Sequence, residues 1–127
     1  VTLERVGATP ADGRFRSADA RGEVAWPAIG EPTEYVHVIE FATPGVRRGF
    51  HRHTRHRERV YLFRGALSVR ARLGAGPAVE LTLAAGDLVS FAENVSHGFV
   101  SLEPSLAVAL GTGSNPMDDT VADPGLD

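Results

Sequence analysis

From Tyr35 onward the chain alternates apolar and polar residues in short runs, broken at close intervals by Gly, Pro and Asn. In Leu67-Ser68-Val69-Arg70-Ala71-Arg72-Leu73 every odd position is apolar and every even one polar. Successive side chains of a strand point to opposite faces, so a period of two marks a half-buried strand. The same reading predicts strands at Tyr35–Phe41, Arg59–Phe63, Ala66–Leu73, Val79–Leu83, Asp87–Phe91, His97–Leu102 and Leu106–Leu110. Turn chemistry separates them: Gly74-Ala75-Gly76-Pro77, Ala85-Gly86-Asp87, Glu93-Asn94 and Glu103-Pro104. No stretch sustains an apolar stripe of period 3.6, so helix is minor. Many short strands at regular spacing predict an all-β sandwich or barrel.

The ends read differently. Residues 7–23 are rich in Gly, Ala, Asp and Arg and suggest an irregular, partly mobile entry segment. The stretch Gly111-Thr112-Gly113-Ser114-Asn115-Pro116, followed by Asp118 and Asp119, suggests a loop-like tail serving as surface cover. The expected organisation is an arm at 1–25, a barrel at 26–112 and a tail at 113–127. With no repeat and no linker, 127 residues make one domain.

Composition narrows the chemistry. There is no cysteine, which removes disulfides, thiolate catalysis and Cys-type zinc sites. All thirteen basic residues are arginine, so Schiff-base chemistry and a lysine general acid are also removed. A net charge of −3 with scattered basic residues argues against nucleic acid as partner. No apolar run approaches the ~20 residues that cross a bilayer, and the first residues show no export pattern. No membrane association is expected, and the cytoplasm is the expected location.

The histidines carry the chemical signal. His51 and His53 are two apart, so on a strand both face one way while Arg52 faces the other. The polar connection Thr54–Arg57 lets the chain reverse and bring Glu58 beside them. Two imidazoles and a carboxylate on paired strands suit a divalent ion. A fourth ligand would come from elsewhere, and His97 opens a later strand after the turn Ala92-Glu93-Asn94. His37 alternates in phase with Tyr35, Ile39 and Phe41, which fits pocket lining and plain packing equally. His56, in the polar connection, is expected to be solvated. Of the arginines, Arg47 or Arg48 is placed to reach a barrel mouth. Trp26 either caps the core or closes over the pocket.

The stretch Gly45 to Gly65, with His51, His53 and Glu58 between, resembles the first cupin motif, G-x5-H-x-H-x4-E-x6-G, at every position. Gly86 to Ser101 resembles the second, G-x5-P-x-G-x2-H-x3-N, with Ala92, Asn94 and Ser101 at the Pro, Gly and Asn positions and His97 kept. Asn94 tolerates the left-handed turn conformation that the motif glycine would take. The resemblance covers about residues 35–110. It implies a double-stranded β-helix, the cupin or jelly-roll barrel, with one divalent metal (zinc, iron, nickel or manganese) held by His51, His53, Glu58 and His97.

Such a site, with open positions on the ion, fits Lewis-acid enolisation of a 2-oxo acid or keto-sugar, and so an epimerase or isomerase. With Fe(II) it would fit a dioxygenase, and without turnover a small-ligand sensor. The sequences around Trp26, Pro44–His51 and Ser96–Phe99 also resemble nucleotide-sugar epimerases and ketoisomerases of the cupin superfamily. That likeness would make His51 the general base. Leu110 stands where the epimerase acid is a tyrosine, and the family's active-site lysine has no counterpart here. The chain therefore resembles a metal-dependent relative, similar to small biosynthetic cupins that epimerise a carbon beside a ketone. If His51 is a ligand, the base lies among Glu58, His37, Tyr35 and Tyr61. A small-molecule substrate and a homodimer are expected.

Overall fold

The structure, a computed structural model, describes residues 1–7, 14–27, 32–113 and 116–126. Twelve strands run β1 (Thr2–Arg5), β2 (Phe15–Asp19), β3 (Gly22–Trp26), β4 (Tyr35–Phe41), β5 (Arg47–His53), β6 (Glu58–Arg64), β7 (Ala66–Leu73), β8 (Val79–Ala84), β9 (Asp87–Phe91), β10 (Val95–Ser101), β11 (Ser105–Gly111) and β12 (Thr120–Ala122). Ten of them form two antiparallel five-stranded sheets, ordered β1-β9-β6-β11-β4 and β12-β5-β10-β7-β8. The chain passes repeatedly between the sheets, which gives a jelly-roll barrel in a single domain. Only two 3₁₀ turns, Pro116–Asp118 and Pro124–Leu126, interrupt the described β structure. None of the described helices is long and apolar enough to cross a membrane.

The strand periods explain where the core lies. Leu67, Val69 and Ala71 are buried between the sheets, while the polar residues that alternate with them turn outward. They pack with Phe41, Val60, Leu62, Leu83, Val89, Phe91 and Phe99. β6 carries an unbroken apolar run because both its faces are covered. Val60 and Leu62 face the main core, whereas Tyr61 packs behind the first sheet with Val6, Leu88, Ala25 and Phe63.

That outer cover corrects the reading of the entry segment as irregular. β2 and β3 form a hairpin, with the Phe15 and Trp26 rings stacked at 4.3 Å and Arg16 paired to Glu23 at 2.5 Å. The hairpin buries little of itself, so its sequence lacks a strong apolar period. Trp26 thus stacks within the hairpin, 43% exposed, instead of closing a pocket. Residues 8–13 of the entry segment, and Ser114 and Asn115 of the tail, lie outside the described residues. The tail itself is more than cover: β12 pairs with β5 along Arg52, and Asp119 and Leu126 are buried.

The last glycine of the first motif has a steric cause. Gly65 sits at φ +102°, and a Cβ there would collide with Ser105 Oγ and the Pro104 carbonyl. Gly65→Ala is expected to cost about 3 kcal/mol, combining left-handed strain with overpacking. The midpoint of chemical denaturation checks it, and an unchanged midpoint would contradict this account of the turn.

Candidate metal centre

Between the sheets, at one end of the barrel, lies a cavity of about 270 Å³ lined by His37, Ile39, Phe41, Arg48, Gly49, His51, His53, Glu58, His97 and Phe99, with Met117 and Thr120 at its C-terminal side. β5 supplies His51 and His53, β6 supplies Glu58, and β10 supplies His97. Register brings them together: His97 lies directly opposite His51 across the β5–β10 pair. Side chains opposite one another in an antiparallel pair share a face, so both rings point inward.

A bulge in β5 decides what else joins them. The register shifts between His97 and Gly98, so Gly98 pairs with Gly49 and Phe50 is left as the extra residue. Gly49 and Phe50 take φ of +87° and +59°. This is a left-handed step that a bulky residue adopts only under constraint, and it re-aims the strand. Without it, Arg48 would face opposite to His51. With it, Arg48 pairs with the inward-facing Phe99 and reaches the cavity, while Arg47 turns out over the Phe50 ring. The Phe50 ring in turn lies on Gly98, where a Cβ would stand 2.6 Å from it.

The three imidazoles offer nitrogens within 4.8 Å of one another. Glu58, 7% exposed, sits between two of them: Oε2 is 3.4 Å from His53 Nε2 and Oε1 is 3.6 Å from His97 Nε2. Ligands of a single ion bound at about 2.0–2.2 Å stand roughly 3–4.4 Å apart, so this spacing is close to a ligand set. Hydrogen bonds behind the rings orient them. His97 Nδ1 donates to the Val95 carbonyl at 3.0 Å, which leaves Nε2 with its lone pair inward, buried and without a hydrogen-bond partner. His53 Nδ1 faces Asp119 Oδ1 and Thr120 Oγ1, both at 3.3 Å, so its Nε2 also points inward. An orphaned imidazole nitrogen opposite a buried carboxylate is a costly arrangement unless a cation lies between them. The residues present fit a divalent ion.

Their electrostatics agree. Burial alone would raise the Glu58 pKa, but the His53 and His97 imidazoles beside it hold it well below the ordinary carboxylate range. Burial would lower His53, yet the Glu58 and Asp119 carboxylates raise it overall. His51 is pushed down from 6.5 to about 4, first by burial and then by His97 and His53. In the metal-free protein the unfolded chain protonates this ring below pH 6.5, whereas the folded chain does so only near 4. Its contribution to stability is therefore complete above pH 6.5 and is lost as pH falls across that window. Melting of metal-free wild type and His51→Asn should show the wild type losing ground to the variant only below about pH 6.5. Parallel melting curves would contradict it.

Tyr35 donates to Glu58 Oε2 at 3.3 Å, and its ring fills the space over Gly111, where a Cβ would collide with it. Burial, then the neighbouring Glu58 charge, raises the Tyr35 pKa well above its usual value. His37, next along the inward face of β4, lines the cavity wall and packs against Tyr35 with ring centroids 4.8 Å apart.

Two sequence expectations need correction. Tyr61 is not at the cavity: in β6 it alternates away from Glu58 and its hydroxyl donates to Glu23 Oε1 at 3.1 Å, behind the sheet. His56 is not solvated: it is 3% exposed and its Nδ1 lies 2.5 Å from Asp119 Oδ2. Asp119 is the residue that sequence reasoning missed, since an acidic tail residue carries no motif signal. The departures in the second motif have local reasons. Asn94 takes φ +64° in its turn. Ser101 accepts from the Val46 amide at 2.9 Å and donates to the Thr43 carbonyl at 2.7 Å, fastening the turn that carries Gly45.

No protein-family model and no curated protein matches the sequence. Solved structures do match in shape. A sugar 3,4-ketoisomerase from Thermoanaerobacterium thermosaccharolyticum, in complex with TDP, aligns over 98% of this chain and 88% of its own with a TM-score of 0.76 at 13% identity. A 3,4-ketoisomerase from Helicobacter canadensis aligns over 96% and 90% with a TM-score of 0.76 at 12% identity. A dTDP-4-dehydrorhamnose 3,5-epimerase from Sulfolobus tokodaii aligns over 87% and 72% with a TM-score of 0.66 at 16% identity. The chain has the cupin fold. Within that fold it is similar in shape to sugar ketoisomerases and epimerases.

Proposed function

We propose that this chain is a metal-dependent cupin enzyme that isomerises or epimerises a small molecule at a carbon beside a ketone, in a 2-oxo acid or a keto-sugar of a biosynthetic route. The observation that carries the proposal is the meeting of half-buried His51 with buried His53, Glu58 and His97, ending in a His97 Nε2 with no hydrogen-bond partner. Zinc, iron, nickel and manganese all accept imidazole and carboxylate donors. When bound there, the ion supplies Lewis-acid stabilisation of the enolate left when the carbon beside the carbonyl loses its proton. The ketoisomerase and epimerase activities of the structural relatives support the reaction class.

The chain's own side chains do the remaining work. Tyr35 fixes the Glu58 carboxylate. Ile39, Phe41 and Phe99 make the wall apolar, which strengthens every charge interaction inside. Arg48 is held at the rim by its Nε donation to the Glu40 carbonyl at 3.0 Å, where its guanidinium suits a carboxylate or phosphate of the substrate. With His51 and Glu58 committed to the ion and Tyr61 behind the sheet, His37 is the cavity-wall group that takes and returns the proton. Val36 and Val38, 59% and 70% exposed on the outer face of edge strand β4, support a homodimer, which would sediment at twice 13.5 kDa.

The test is proton exchange. Metal-loaded protein, incubated in deuterated water with a panel of 2-oxo acids and nucleotide-linked keto-sugars, is expected to place deuterium on the carbon beside the ketone of one of them. Oxygen consumption with Fe(II) and no exchange would replace the proposal with a dioxygenase. Tight binding with neither reaction would replace it with a sensor.

A further inference from the structure

The C-terminal segment 116–126 carries a residue that the proposed reaction does not use but the site depends on. Asp119 is buried at the head of β12, and among the described residues the polar contacts of its carboxylate lead back to β5 and the connection that follows it. Oδ1 faces His53 Nδ1 at 3.3 Å, and Oδ2 receives the Arg55 amide at 2.6 Å and lies 2.5 Å from His56 Nδ1. Its backbone carbonyl accepts from the Thr54 amide at 3.3 Å. Two rings and one amide thus converge on two carboxylate oxygens. An amide side chain has only one acceptor oxygen and cannot serve them all.

The same segment is fastened at several further points. Thr120 pairs with His53 and Ala122 with His51, so the two imidazoles lie on an inner strand only because β12 covers it. Asp123 binds Arg72 at 2.6 and 3.1 Å, the Asp123 amide donates to the Phe50 carbonyl at 2.8 Å, and Leu126 is buried.

We infer that Asp119 is a positioning residue for the metal centre: it locks the His53 ring with Nε2 turned toward Glu58, and so couples docking of segment 116–126 to loading of the site. The inference rests on the metal reading proposed above. Coupling of this kind is reciprocal, so the ion steadies the segment as the segment steadies the ligand.

Zinc alone is the probe. Zinc affinity, measured by competition with a chromophoric chelator, is expected to fall about 10–100-fold in Asp119→Asn, the usual cost of losing an outer hydrogen bond to a ligating histidine. The exposed neighbour Asp118 provides the control, and Asp118→Asn should bind as wild type does. A cobalt-loaded Asp119→Asn should also show an altered visible spectrum, which a loss of fold stability alone would not produce. In the wild type, zinc should slow hydrogen exchange at the Val121 and Asp123 amides, the ones that face β5 in this register. Equal zinc affinity in Asp119→Asn and wild type would overturn the inference while leaving the metal site standing. A wild type that binds no zinc would overturn both. Should Asp119→Asn fail to fold, the wild-type exchange experiment decides, and absence of added protection at 121 and 123 overturns the inference.

Discussion

Replacing His51 and His53 together by alanine is expected to empty the metal centre while leaving the barrel folded. A four-ligand structural zinc site is worth about 10–16 kcal/mol at neutral pH, so each ligand carries roughly 3 kcal/mol and two carry about 6. That corresponds to about four decades in Kd, enough for the purified variant to hold no stoichiometric metal. The fold should survive because neither ring belongs to the apolar core around Phe41, Leu62, Leu67 and Phe99. The check is elemental analysis beside far-UV circular dichroism. A folded double variant carrying a full complement of metal would refute the site.

The second large effect concerns His37. If it transfers the proton, His37→Gln removes the titratable ring while keeping a polar side chain of similar reach. General acid–base groups contribute about 10²–10⁴-fold, so deuterium exchange should slow by that factor. Metal content should not change, because His37 is absent from the cluster of close-set imidazole nitrogens. Tyr61→Phe should leave the exchange rate nearly intact, since that hydroxyl serves Glu23 behind the sheet. Wild-type exchange in His37→Gln would move the base to another group, with Tyr35 the next on the same face.

These two variants also show how much could be read from sequence. The strands Tyr35–Phe41 and Ala66–Leu73 are those the two-residue period predicts, because each has one face on the core, whereas Asp87–Phe91 is covered on both faces and is marked by the turn Ala85-Gly86 before it. The pairing of His51 with His53 was legible because the bulge lies ahead of them, at Gly49 and Phe50, and leaves their phase intact. The same bulge hid the difference between Arg47 and Arg48: a regular strand puts Arg47 on the side of His51, whereas the extra residue puts Arg48 there.

For His56 and Asp119 the miss has one physical origin. Burial by non-neighbouring chain leaves no local period. His56 looks solvated in Thr54–Arg57, yet the ring is enclosed once Asp119 and Gly113 come over it. Asp119 and Asp118 are adjacent acidic residues, and only the pairing of β12 with β5 makes one buried and leaves the other exposed. Tyr61, expected among the candidate bases, is a different case that the strand period itself settles. An odd separation of three along a strand sends it to the opposite face.

An anomalous-difference map from crystals of the protein as purified bears most directly on the central claim. One peak per chain is predicted, about 2.0–2.2 Å from Nε2 of His53 and His97, a ring nitrogen of His51 and a carboxylate oxygen of Glu58. A map without density there even after soaking in zinc, with His97 Nε2 turned to another partner, would contradict it.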